Sequence, residues 1–357
     1  MKKHQMTRRT FIRASTAAVG SAALGGHFFA SAADESAIRK TRSYNPDMEY
    51  RRLGATGLWI SAVCLGGHWK RLKVPGHNLP DVFIPKEAAD IEALRRNRSD
   101  VLTRCLEVGI NYVDACTEAE VTVYGQALKG RRDKMYMGFD MWPACPREAK
   151  YCKAEELLRL LENGMMAAGI DYVDVWRLVA SVPGEHSPAD EEEFIKAFDK
   201  AKKDGKARFT GVSSHGRGWL KRLAETYPQH FQVLLFPYTT DTKELPEDSL
   251  FDAVRKHDIG TFGIKPFAGG SLFAGAKDDR DCMARARLTI RYILSNPAIT
   301  APIPGLASVE EVDNMAAAVK EGRNLDRAEL KELGRINQRM WAQLPESYQW
   351  LRDWEYV

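Results

Sequence analysis

The chain has 357 residues, 44% of them hydrophobic and 28% charged, with a formal net charge of +4. That length and apolar content let one barrel-sized domain bury a full core, which excludes a disordered or fibrous chain. The charge is local: residues 1–32 carry Lys2, Lys3, Arg8, Arg9 and Arg13 and no acid, so removing those five charges takes +4 to −1, and neither nucleic acid nor an anionic membrane is expected as a partner of the remainder.

In chain order, the first feature is TRRTFIR at residues 7–13, which resembles the twin-arginine export signature. A weakly apolar run at 14–29 and the small residues Ala30, Ser31 and Ala32 follow it. Residues 1–32 are therefore expected to be a signal peptide, with the twin-arginine translocase as partner and a periplasmic or otherwise exported destination. A bilayer span needs about 20 strongly apolar residues. Gly20, Ser21, Gly25, Gly26 and His27 dilute this run, so no membrane span is expected in the mature chain. The route carries folded proteins, so an exported enzyme brings its cofactor from the cytoplasm.

Residues 44–357 read as one domain without a low-complexity linker. Short apolar runs at 62–65, 112–115, 135–138, 172–176, 208–212, 232–236, 261–264 and 299–303 predict eight strands. Between them lie segments such as 154–168, 191–203 and 284–294, whose apolar residues recur at three and four positions, the helical spacing. Eight strand-helix units predict an α/β fold, a (β/α)8 TIM barrel, with a C-terminal extension. The first connection, 70–98, is long and is a candidate wall of the pocket. The extension carries Trp341, Tyr348, Trp350, Trp354 and Tyr356, rings suited either to stacking on a carbohydrate or to docking a terminal helix on the barrel.

Several segments, in order, resemble the aldo-keto reductases. They are YRRLGATGLWISAVCLGG at 50–67, GINYVDACTEAEVTVYGQALKGRRDKMYMGFD at 109–140, ENGMMAAGIDYVDVW at 162–176, ARFTGVSS at 207–214, GTFGIKPFAGGSL at 260–272 and SNPAITAPIPGLASVEEVDN at 295–314. The resemblance spans nearly the whole body and implies a barrel with its site at the C-terminal strand ends. In that family an Asp ends the second strand, a Tyr follows five residues later, a Lys ends the third strand and a His the fourth. Here Asp114 is present, but Ala119, Asp140 and Val179 occupy the other three places. Tyr124 is weighed as a relocated donor against a helix residue.

What remains at the strand ends is polar: His68, Asp114, Glu118, Asp140, Arg177, His215, Tyr238 and Lys265. Asp114 is expected to orient the site, His215 or Tyr238 to exchange a proton, and Arg177 and Lys265 to balance developing oxyanion charge. By the resemblance, Ser213, Ser214, Lys265, Gly269, Gly270, Gly305, Ser308, Glu311 and Asn314 are the positions for a dinucleotide. A carboxylate at Glu311 would repel a 2′-phosphate, so NAD is expected over NADP if either binds. No metal is assigned, because His68, Cys116 and His215 show no HxxxH or CxxC spacing. Cys145 and Cys152 bracket one loop and are open to a disulfide in an oxidising space. The reading is an atypical aldo/keto reductase-like oxidoreductase acting on a hydroxyl or carbonyl of a small polar substrate, a sugar included. The alternative is an exported carbohydrate-binding barrel or nonredox lyase.

Overall fold

The computed structural model describes residues 32–69, 72–79, 85–180 and 186–354. The leader reading, at residues 1–32, lies almost wholly outside them. The described chain divides into a short unit ending at Arg39 and a body from Lys40 onward. In the first, α1 (Ala32–Arg39) carries Asp34 and Glu35 in its first turn and Arg39 in its last, the order that complements a helix dipole. Among the described residues no helix is long and apolar enough to cross a membrane.

The body opens with an antiparallel hairpin, β1 (Tyr50–Arg52) and β2 (Trp59–Ser61). Eight parallel strands follow: β3 (Leu65–Gly66), β4 (Tyr112–Thr117), β5 (Tyr136–Trp142), β6 (Val173–Val179), β7 (Ala207–Ser213), β8 (Val233–Pro237), β9 (Gly260–Ile264) and β10 (Ala301–Ile303). Each pairs with its sequence neighbour in turn. The two ends meet through the Gly66–Gly305 bridge and the amides of Cys64 and Gly66, which donate to Pro302 and Pro304 carbonyls at 3.1 and 2.9 Å. A β-carbon at Gly66 would collide with the Pro304 carbonyl, so glycine is what lets the barrel close there. All eight expected strands form; only the first is displaced, to Leu65–Gly66.

Helices cover the outside: α2 (Glu92–Val108), α3 (Glu118–Ala127), α4 (Ala154–Ala168), α5 (Pro188–Lys203), α6 (Arg217–Thr226), α7 (Leu250–His257), α8 (Asp279–Leu294), α9 (Val309–Glu321) and α10 (Arg327–Ala342). In α4, Leu157, Leu160, Leu161, Met165 and Ala168 are buried at three- and four-residue spacing, as the sequence requires. Helix α5 starts three residues earlier than apolar spacing alone indicates, because Ser187 and Asp190 form a capping box with Pro188 at the first turn.

The lumen is filled. Leu53, Leu58 and Ile60 of the hairpin segment pack with Tyr112, Tyr136, Val175, Val233, Leu235, Phe262 and Ile303. These strand residues share one parity, so the residues two and four places further along the same strands also point inward. That parity decides which strand-end groups reach the cavity above the core.

Candidate active site

A cavity of about 230 Å³ opens at the C-terminal ends of the strands. Of the expected catalytic groups, Asp114, Arg177, His215 and Lys265 line it; Tyr238 does not. Val179 lines it where the family has a histidine.

Asp114 on β4 and Arg177 on β6 form a two-pronged ion pair. Arg177 Nε and Nη2 donate to the two carboxylate oxygens at 2.8 and 2.6 Å, and Nη2 also donates to the Ala115 carbonyl at 3.0 Å. Burial pushes the Asp114 carboxyl up, and the guanidinium pulls it back. Burial opposes the Arg177 charge, but Asp114 and Asp140 outweigh it and raise its pKa. The planar fork is the arrangement that holds a carboxylate best. The cation beside Asp114 therefore comes from the fourth barrel strand, since the third supplies an acid.

That acid, Asp140, is buried next to Arg177 but does not line the cavity. Its Oδ2 has no hydrogen-bond partner. Burial pushes its pKa up to about 7 despite Arg177, the amides of Met141 and Val179, and Arg147.

Glu120 was not expected in the site. Thr117 caps α3, and Glu120 at its third position closes the capping box. Its carboxylate also accepts from the Cys116 amide at 2.7 Å, the His68 amide at 2.7 Å and His68 Nδ1 at 2.8 Å. Burial alone would raise the Glu120 carboxyl; His68 and these amides overcome it and hold it low. In turn, burial would lower His68, but Glu120, together with Cys116, lifts it to about 10. His68 is thus an imidazolium at neutral pH, oriented by Glu120, with 29% of its side chain exposed to the cavity. The TxxE pattern of 117–120 was legible, but it reads as a helix start.

The two expected proton carriers are otherwise engaged. His215 stacks on Trp350 with ring centres 3.8 Å apart. Its Nδ1 is buried without a hydrogen-bond partner, and burial, with Lys265 and Arg147 nearby, pushes its pKa down to about 2. The ring is neutral at ordinary pH and holds no imidazolium proton to give. Tyr238 has the parity of Phe236, outward, and both pack on Phe251 of α7. The Tyr238 hydroxyl accepts from Asn296 at 3.0 Å. Tyr124, too, is a packing residue: its hydroxyl donates to the Gly66 carbonyl and accepts from Trp69, both at 2.7 Å. Glu118 is exposed, 3.8 Å from Lys86.

The dinucleotide positions divide. Ser213, Lys265, Gly269, Gly270 and Gly305 line the cavity, so a nicotinamide ring and the start of a diphosphate fit the residues present. Ser214 is fully buried and its hydroxyl accepts from the Gly216 amide. Ser308 caps α9, while Asn314 donates to the Met283 carbonyl. Glu311 is buried, and its carboxylate folds back to accept from the Ala307 amide at 2.7 Å. The expected repulsion of a 2′-phosphate needs that carboxylate facing outward, so the NAD preference loses its ground.

The C-terminal extension is a wall of the site. Its 3-10 segment Glu346–Trp354 docks on the loop after β9, with Leu344 and Leu351 packed on Ala268, Leu272, Ile336 and Met340. Tyr348 lines the cavity, and its ring lies so close on Gly269 that a β-carbon there would collide with it. Lys265 sits 5.7 Å from the ring centres of both Tyr348 and Trp350. The aromatic tail therefore docks on the barrel through Trp341, Tyr348, Trp350 and Trp354, while Tyr356 lies outside the described residues. Trp142, the last residue of β5 and in the inward phase of Tyr136, and Arg147, from the loop after that strand, were missed; they too line the cavity. Cys145 and Cys152 are free thiols.

Known proteins place this geometry. The model of the aldo/keto reductase family matches residues 92–287, more than half of the chain. The uncharacterized oxidoreductase YrpG of Bacillus subtilis is 23% identical, over 85% of this chain and all of its own. L-galactose dehydrogenase of Arabidopsis thaliana is 24% identical, over 81% and 94%. Among solved structures, an aldo/keto reductase from Klebsiella pneumoniae in complex with NADP and acetate superposes with a TM-score of 0.61 at 21% identity, covering 81% of this chain and 95% of that one. A holo aldo-keto reductase from Bacillus halodurans gives 0.60 at 20% identity, covering 85% and 99%. The chain belongs to the aldo/keto reductase family.

Proposed function

We propose that this protein exchanges hydride between a nicotinamide dinucleotide and a carbonyl or carbinol carbon of a small polar substrate, with His68 in place of the family's tyrosine as proton donor. The observation that carries the reading is the His68–Glu120 pair beside the Asp114–Arg177 pair in one cavity at the barrel's C-terminal face. Bound nicotinamide supplies the hydride exchange itself. In the reducing direction, the protonated His68 ring gives its proton to the developing alkoxide while Glu120 holds the ring and stabilises its charge. Arg177 and Lys265 add fixed positive charge to the wall where negative charge develops. The cavity volume suits a short substrate such as a monosaccharide rather than a polymer.

Export with the dinucleotide already bound is part of the same proposal, since the twin-arginine-like leader implies a folded cargo. A nonredox lyase or sugar-binding barrel is the competing reading, and Tyr348 lying on Gly269 is what favours it. Denaturing the purified exported protein and reading released molecules by absorbance and mass spectrometry separates the two. A stoichiometric dinucleotide is expected; none, together with no nicotinamide binding by the apoprotein, sinks the redox reading.

A further inference from the structure

A second cluster of reactive side chains lies at the barrel rim, outside the cavity. Cys152 precedes α4, and His186 and Asp190 flank the start of α5, four residues apart. The three offer one atom each, all within 4.8 Å of one another. Cys152 Sγ is 4.0 Å from His186 Nδ1, which is 3.9 Å from Asp190 Oδ2. These separations are too long for strong hydrogen bonds. The two separations exceed the edges of a zinc tetrahedron, roughly 3.4–3.6 Å for bonds of about 2.0–2.3 Å, by a few tenths of an ångström, so the side chains would close slightly on an ion.

We propose that Cys152 Sγ, His186 Nδ1 and an Asp190 carboxylate oxygen bind a zinc ion, with water as the fourth ligand. Thiolate, imidazole and carboxylate together are a borderline-soft set that suits zinc rather than calcium or magnesium. Neighbours that orient the ligands are in place. The His186 ring is held edge-on by Phe194 at 4.9 Å and tilted on Trp219 at 5.3 Å. The Ser187 hydroxyl donates to Asp190 Oδ2 at 2.8 Å, the kind of contact that fixes a carboxylate ligand. Burial is graded across the site. The His186 side chain is 4% exposed and Asp190 33%, so metal and water enter from the Asp190 side while the other ligands stay dry.

The ion would act as a staple. The loop that carries Cys152 also carries Arg147, which lines the cavity and donates to the Ala180 carbonyl at 2.9 Å. The Cys152 thiol donates to the Pro146 carbonyl, 3.4 Å away, next to Arg147. Tying Cys152 to α5 therefore fixes the wall bearing Arg147 without placing the ion in the cavity. Binding deprotonates the thiol and releases that proton to solvent, so no other reactant is needed.

The test is metal content of the full-length protein purified from the exported fraction, followed by titration of chelator-stripped protein with cobalt(II) and zinc(II) salts. Expected are one zinc per chain and, with cobalt, thiolate charge-transfer and intense visible bands of a tetrahedral site. Cys152→Ser should abolish the charge-transfer band, and Asp190→Asn, which keeps a side-chain oxygen to accept from Ser187 in the α5 cap, should weaken cobalt binding by more than the roughly 10- to 100-fold that follows loss of an outer-shell partner. Chelation should lower the melting temperature of wild type and leave Cys152→Ser unchanged. No metal as isolated with no cobalt spectrum, or the same stoichiometry and spectrum in Cys152→Ser, overturns the assignment.

Discussion

At the scale of single residues, the chemistry rests on ionisation states that local contacts reverse. Asp140 has its pKa pushed up to about 7 against an unfolded value of about 3.9, so the folded state holds its proton more tightly. The group's stabilising effect is complete below about pH 4 and is lost as pH rises through 7. Wild type should therefore lose roughly 4 kcal/mol more than Asp140→Asn between pH 4 and 8 in denaturant unfolding. Equal losses would show that Asp140 is not desolvated. His68 shifts upward through a partner of opposite charge: its contribution is full below about 6.5 and disappears as pH climbs through about 10. The same ionisation sets the reaction. Carbonyl reduction by wild type should stay level from neutral pH and fall on a single-proton limb near pH 10, while His68→Gln should lose that limb and about 10²–10⁴-fold in kcat. A limb that survives in His68→Gln belongs to another group.

Among the elements, the 3-10 segment Glu346–Trp354 lies over part of the glycine loop after β9. Its Tyr348 ring rests on Gly269, whereas among the described residues nothing comes within 4 Å of where a β-carbon at Gly270 would sit, so these residues cover only part of the expected diphosphate path. Tyr348→Ala should accelerate both association and dissociation of a dinucleotide by about an order of magnitude, since removing a gate changes rates more than affinity. Stopped-flow quenching of tryptophan fluorescence reads this directly. Unchanged rates would mean that the segment is a wall and not a gate. The strands were legible from sequence because each is a short apolar run, and parity then explains the site. Asp114, Arg177 and Ser213 share the inward phase of Tyr112, Val175 and Phe209, whereas Tyr238 shares the outward phase of Phe236. Glu120 was hidden because a helix cap and a histidine's partner have the same sequence signature. Arg147 and Tyr348 reach the cavity from segments without periodicity, where spacing carries no directional information, whereas Trp142 keeps the inward phase of Tyr136 but lies beyond the strand expected at 135–138.

For the whole molecule, the spread of the site along the chain bears, on the proposed function, on when a dinucleotide can be loaded. The barrel closes only when β3 meets the β10 segment, through the contacts of Cys64 and Gly66 with Pro302 and Pro304. The cavity wall also takes residues nearer the C-terminus: Trp350 stacks on His215, and Trp354 donates to the His215 carbonyl at 3.1 Å. No portion of the chain short of nearly its full length builds the site, so a chain threaded unfolded through a membrane would have to fold on the far side. Dinucleotide is scarce there. On the proposed export route, the leader-like residues 1–32, with their Arg8-Arg9 pair, would avoid this by moving the chain after closure. Arg8→Lys with Arg9→Lys preserves charge and should retain the protein inside the cell with its dinucleotide bound. Replacing residues 1–32 by a leader for the unfolded-chain route should instead deliver protein with the same circular dichroism but little releasable nicotinamide. Equal dinucleotide content by the two routes, or undiminished export of the double lysine variant, would separate cofactor loading from the twin-arginine pathway.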